Sequence, residues 1–142
     1  MSFQQPVLEA RDILAEGSAG VASDGIQWEQ FSLPVLEGHL AAGRTVFIDF
    51  TAEWCLTCKV NEKTVLADDE VVEKFRTSGL VSLKADWTRR DPDITRLLVK
   101  FGRSGIPLYV IFPAGKPDQP IILPEVITSG IVVEAIARAV GS

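Results

Sequence analysis

Two cysteines and single histidine, methionine and tyrosine residues are all that this chain of 142 amino acids holds of those types. A structural zinc site needs four ligands, usually Cys or His. Beyond Cys55 and Cys58 only His39 remains, so a complete sulfur–nitrogen site cannot be built within the chain. Lysine and arginine number 14 against 19 acids, and the net charge of −5 argues against a general nucleic-acid surface. Basic–aromatic interleaving, a glycine loop to cradle phosphate and a Ser/His/Asp triad are absent, and no organic cofactor or metal is implied. No apolar run approaches the roughly 18 residues that cross a bilayer. The opening MSFQQPVLEARD has neither a basic leader nor an apolar stretch of signal-peptide type. The expectation is a chain that is cytosolic, or a soluble piece of a larger exported or membrane-bound polypeptide.

What is present is the composition of one soluble globular domain, 46% hydrophobic and 23% charged. A chain of this length buries roughly 68–70% of its unfolded surface, enough to stand without a disulfide. Residues 1–25 read as a weak helix, VLEARDILAE, and a flexible linker, GSAGVASDG; the compact domain is expected over 26–142. IQWEQF alternates like a short strand, and PVLEGHLAAG reads as a helix with Gly43 past its end. TVFIDF is a buried, β-branched and aromatic strand. CLTCKVNEKTVL and DDEVVEKFRTSG are two helical pieces, the second closing at Gly79, and LVSLKAD is the next strand. Asp91-Pro92-Asp93 starts a helix, ITRLLVKFG, that closes at Gly102. IPLYVIF and PIILP flank the turn AGKPDQP as a hairpin, and SGIVVEAIARAV is a last amphipathic helix. This order predicts an α/β fold, a three-layer sandwich with helices on both faces of a mixed sheet, and it matches a thioredoxin fold.

The chemistry concentrates in TAEWCLTCKVNE, residues 51–62. Cys55 and Cys58 admit three readings: half of a metal site, a structural staple, or a redox couple. The staple would close a tiny loop and stabilise little. The redox reading has the strongest physical case, because the strand ends just before Cys55 and a helix starts there. Unpaired N–H groups and the positive end of the dipole favour the first thiolate and can bring a cysteine pKa from about 8.5 to about 3.5–7.5. Cys58 lies one turn further in, within disulfide reach.

Two acids sharpen that reading. Asp49 interrupts a central apolar strand, which is costly without a role, and it shares a face with Phe47 and Thr51. Glu62 follows residues 55, 58 and 59 at i, i+3, i+4, i+7 spacing, so it shares the cysteines' stripe; its bland alternative is a solvated pair with Lys59. Both charges would oppose thiolate formation, and either acid could shuttle a proton to or from Cys58. Pro107 opens an apolar strand, and since only about 5–6% of X–Pro bonds are cis, sequence physics alone expects Ile106–Pro107 to be trans. Trp87, Arg89 and Arg90 could dock a partner, since Trp and Arg are typical interface anchors, but the favoured reading is a packed ring and two solvated charges; His39 reads as exposed or capping. Trp28, Phe31, Phe47, Phe50, Phe75, Phe101 and Phe112 read as core.

TVFIDFTAEWCLTCK followed some fifty residues later by GIP resembles the thioredoxin superfamily. The resemblance implies a buried acid at Asp49, a tryptophan before the attacking cysteine at Trp54, Cys55 as nucleophile and Cys58 as resolving thiol. It also implies a cis-proline at Pro107, overturning the trans expectation and exposing the Ile106 backbone for pairing with a partner peptide. DFTAEWCLTCKVNE, KADWTRRDP and FGRSGIPLY are similar to one branch, the C-terminal periplasmic thioredoxin-like domain of DsbD-type transmembrane thiol–disulfide interchange proteins. That likeness spans about residues 26–140 and places an acid at Glu62 in the active-site surroundings. Leu56-Thr57 replaces the Gly-Pro of ordinary thioredoxins and should shift the redox poise, with a sign the residues do not give.

The expected function is a protein-disulfide reductase. By the resemblance it relays electrons from a membrane-embedded domain to periplasmic thiol carriers through transient mixed disulfides, as the soluble periplasmic domain of an inner-membrane protein. The expected partners are redox proteins and that membrane domain, with no nucleic acid, and the chain is expected to be a monomer. The rivals are a stand-alone soluble thioredoxin-like reductase or oxidising carrier, and a non-catalytic thioredoxin-fold adaptor.

Overall fold

The computed structural model describes residues 25–141. The weak helix and all of the linker expected over residues 1–25 except Gly25 lie outside the described residues. In chain order the elements are β1 (Glu29–Gln30), α1 (Leu33–Ala41), β2 (Val46–Thr51), α2 (Leu56–Thr64), α3 (Asp69–Ser78) and β3 (Val81–Asp86), then α4 (Pro92–Lys100), β4 (Leu108–Phe112), β5 (Ile121–Leu123) and α5 (Ser129–Ala139). The five strands form one sheet in the order β1-β3-β2-β4-β5. β3 runs parallel to both β1 and β2, whereas β4 is antiparallel to β2 and to β5. This is the mixed sheet expected from the sequence, although only two residues of IQWEQF pair as a strand.

β2 is the centre, and all six of its residues are buried. Its side chains alternate between two apolar cores. Val46, Ile48 and Phe50 face one core, which takes Leu36 from α1 and Ile94 and Leu98 from α4. Phe47 faces the other, with Val71 and Phe75 of α3 and Val132 and Ile136 of α5. Burying side chains of this size contributes roughly 1.5–3 kcal/mol each relative to exposure. Asp49 and Thr51 share the parity of Phe47, so a carboxylate is directed into the second face.

Register brings three chain segments to one end of the sheet. Thr51 at the end of β2 is level with Asp86 at the end of β3. The neighbouring pair Phe50–Leu108 places the start of β4, and the proline before it, at the same end. Helix starts behave as their residues dictate. Ser32, Asp68, Asp91 and Thr128 each cap with a side-chain oxygen, and Asp91 accepts from the N–H groups of both Asp93 and Ile94. Gly79 ends α3 at φ 66°, a left-handed cap that glycine adopts without strain.

His39 is neither exposed nor a cap. Its ring lies between Glu29 Oε1 and an Arg44 guanidinium nitrogen, each at 2.9 Å. Arg44 can only donate, so Nδ1 accepts and Nε2–H donates to Glu29. The ring therefore ties α1 to the edge strand. Of the aromatics expected in the core, Trp28 and Phe101 are partly exposed and pack at its margins. No helix among the described residues is long and apolar enough to cross a membrane.

Candidate active site

The chain leaves β2 at Thr51, bends through Ala52–Trp54 and enters α2 with Cys55 as its N-cap. Cys55 Sγ accepts from the Cys58 backbone N–H at 3.2 Å. A sulfur thus occupies the position that a Ser or Asp oxygen fills at other helix starts, where amide donors and the dipole favour negative charge. Cys55 and Cys58 are joined by a disulfide, with Cα atoms 5.3 Å apart. Both cysteines are buried, but Cys55 retains 7% exposure and Cys58 none, so what access the pair has lies on the Cys55 side. Around them Ala52 and Ile106 complete a small cluster. The Ile106–Pro107 bond is cis, against the sequence-physics expectation and as the family resemblance implies.

Asp49, on β2 just before the cysteine-bearing turn, is fully buried, with no hydrogen-bond partner on either carboxylate oxygen. Its pKa is raised from 3.8 to about 7, chiefly by burial and next by the charge of Glu62, with Lys84 and Lys59 opposing. Its cross-strand neighbour on β4 is Tyr109, whose phenol is pushed above its ordinary range by burial and by the charge of Asp49. Glu62 accepts a 2.8 Å hydrogen bond from Thr51 Oγ1, so it faces the end of β2 and is not a solvated partner of Lys59. Lys59 pairs with Glu53 at 3.7 Å instead.

Three site residues escaped the sequence reading. Thr51 orients Glu62, and its place two residues beyond Asp49 on the same strand face was the available signal. Asn61, buried in α2, donates to Tyr109 Oη and to the Glu125 carbonyl, both at 2.9 Å, pinning the helix to β4 and to the loop before α5. Thr88 holds the approach to the cysteines: the Glu53 N–H donates to its hydroxyl at 2.9 Å, and Trp54 Nε1–H to its carbonyl at 3.1 Å. Arg90 is exposed, as a solvated charge would be, but its guanidinium also sits over both the Trp54 and Trp87 rings. Trp87 is buried as expected, and its Nε1–H donates to Thr95 at 2.8 Å. Among the described residues no group of three or more His, Cys, Asp or Glu is placed to hold a metal ion.

A helix-capping cysteine bonded to a fully buried one, beside a cis-proline and just after a strand that carries a buried acid, is an arrangement that can be compared with known proteins. Residues 27–114 match the family model described as thioredoxin-like. The chain belongs to the thioredoxin-like family. Within it, the chain is 33% identical over 102 residues to thiol:disulfide interchange protein DsbD 1 of Pseudomonas aeruginosa, covering 68% of this chain and 17% of that protein. It is 36% identical over 83 residues to DsbD of Yersinia pestis, covering 57% of this chain and 14% of that one. The chain therefore spans less than a fifth of the length of these relatives.

Among solved structures, the C-terminal domain of Neisseria meningitidis DsbD in the reduced form superposes with a TM-score of 0.60. It shares 19% identity and covers 78% of this chain and 99% of that domain. A thioredoxin from Thermus thermophilus gives 0.61 at 19% identity, covering 80% and 86%. At such identities these two likenesses carry the fold alone, the thioredoxin-like sandwich. The family, the fold and the Cys55–Cys58 disulfide together make this chain a thiol–disulfide oxidoreductase domain.

Proposed function

We propose that the domain is a protein-disulfide reductase that relays two electrons between partner proteins, and that Cys55 is its nucleophile. The observation that carries this reading is the asymmetry of the pair: one cysteine caps a helix and retains 7% exposure, while its mate is fully buried. Starting from the dithiol, the Cys55 thiolate attacks a disulfide sulfur of the partner, and the partner's other sulfur leaves as a thiolate. Cys58 then gives up its proton and attacks Cys55 Sγ. The Cys55–Cys58 disulfide forms, the mixed disulfide breaks, and the partner departs with both electrons and two protons as a dithiol.

Each remaining site residue has a place in that cycle. Asp49, with a pKa of about 7, is suited to take the Cys58 proton near neutral pH and return it in reverse. Glu62 tunes Asp49 through like charge and is itself oriented by Thr51. Trp54 and the Ile106–Pro107 backbone form the docking surface, where an extended partner segment pairs with Ile106. Residues 26–142 form the catalytic domain. The relatives named DsbD support the wider reading, in which a membrane-embedded domain of the same or a partner polypeptide supplies electrons and periplasmic thiol carriers receive them. That reading places the domain in the periplasm.

Trapping tests the proposal. A Cys58→Ser variant should accumulate a dithiothreitol-sensitive covalent complex with its partner, because the mixed disulfide can no longer be resolved. A Cys55→Ser variant should not. An equal yield from both would refute the assigned roles, and no complex from either would favour a non-catalytic adaptor.

A further inference from the structure

Among the described residues Arg90 is the only non-glycine with positive φ, at 55°. L side chains rarely adopt that conformation, and glycine or asparagine would fill it more easily. The turn is closed by the Arg90 N–H donating to the Trp87 carbonyl at 2.9 Å, and Asp91 follows at once as the cap of α4. The backbone reversal returns the guanidinium over two indoles, its carbon 5.1 Å from the Trp54 ring centre and 5.0 Å from that of Trp87. The rings themselves lie 5.9 Å apart and inclined by 53°. Trp54 is also fixed through its N–H to Thr88, yet half of its surface remains exposed.

The backbone of this turn does not favour an arginine there. Neither Arg89 nor Arg90 forms an ion pair with a carboxylate among the described residues, in a chain whose net charge is −5. With the guanidinium carbon 5.1 and 5.0 Å from two ring centres that are themselves 5.9 Å apart, both indoles lie to one side of it, and the N–H donors turned away from them can meet a carboxylate in a fork. The residue after Trp54 is Cys55, the less buried cysteine of the pair.

We propose that Arg90 is a specificity-determining residue of the exchange reaction: it holds the Trp54 ring as a fixed platform and selects partner segments that carry a carboxylate beside the disulfide to be reduced. The proposal rests on the reductase reading above and deepens it. Redox chemistry is unchanged by it; Cys55 and Cys58 still pass two electrons to the peptide disulfide. Arg90 acts on which peptide arrives and how it lies.

Three disulfide-bridged model peptides of one sequence, with Asp, Asn or Lys next to the attacked cysteine, test it. The pre-reduced protein is mixed with each and the second-order rate constant is followed. Comparing peptides within one protein cancels any general loss of activity. Wild type should prefer the Asp over the Lys peptide by about tenfold at low salt, since attraction is exchanged for repulsion at a partly exposed site. The preference should shrink at about 1 M salt, where screening acts within roughly 3 Å. Arg90→Gly, which suits the backbone and removes the side chain, should bring the ratio to within about twofold of unity. Arg90→Lys keeps charge but stacks less well and should fall between.

An equal ratio in wild type and Arg90→Gly would overturn the proposal, as would a ratio lost in Arg89→Ala but kept in Arg90→Gly. Failure of the wild type to reduce even the Asn peptide would instead sink the reductase reading.

Discussion

Asp49 holds the least comfortable position of any side chain in the domain. Its folded pKa of about 7 exceeds the ordinary 3.8, so between those values the folded state binds the extra proton. Stability therefore falls as pH rises through that window and stays lowered above it. The gap corresponds to about 4 kcal/mol. Asp49→Asn is accordingly expected to be more stable than wild type by up to that amount at pH 8, and nearly equal to it below about pH 4. Urea unfolding at both pH values checks this; an advantage independent of pH would contradict it. Glu62 contributes to the raised value, so Glu62→Gln should move the Asp49 titration, followed by carboxyl NMR, to lower pH. An unmoved midpoint would leave Glu62 without the tuning role. Asp49 was legible in the sequence because a lone acid in an apolar strand has few explanations. Arg90 was legible only as one of two readings, a partner anchor or a solvated charge, because a basic residue before a helix cap looks like the latter until the backbone turns left-handed.

The helices and strands show the same division between local and non-local causes. The start of α4 was readable because its cause is local: Asp91 accepts from two backbone N–H groups with Pro92 directly behind it. Asp91→Ala is expected to lower unfolding free energy by about 1 kcal/mol while the domain still folds, measured by denaturant titration. A change below a few tenths would mean that water replaces the cap. The start of α2 was read at Cys55 for a similar reason, since the apolar strand ends where the helical spacing begins. The cis bond at Pro107 could not be derived from its neighbours. Only family resemblance supplied it. β1 was overdrawn because alternation in IQWEQF says nothing of where the partner strand ends. Three residues apart and on one helical stripe, Cys58 and Asn61 do different work, the second in pinning α2 to β4, and sequence spacing reveals only the stripe.

At the scale of the molecule, two apolar cores lie on opposite faces of the sheet, and neither contains the cysteines. The disulfide closes so short a loop that the chain-entropy model gives it about 2 kcal/mol of stabilisation. Reduction should therefore leave a cooperatively folded domain, with unfolding free energy lower by about that amount or less. Loss of the folded near-ultraviolet spectrum on reduction would mark the bond as a structural staple. The sandwich instead serves as a rigid frame whose one end gathers α2, the loop after β3 and the cis-proline. A leading cysteine that keeps slight exposure beside a fully buried partner is the asymmetry on which the proposed exchange depends. Alkylation of the reduced domain by iodoacetamide, quantified at each cysteine by mass spectrometry across pH 4–9, measures it directly. The account predicts modification at Cys55 well before Cys58, already proceeding below the usual thiol pKa of about 8.5. Equal labelling of the two, or earlier labelling of Cys58, would contradict it.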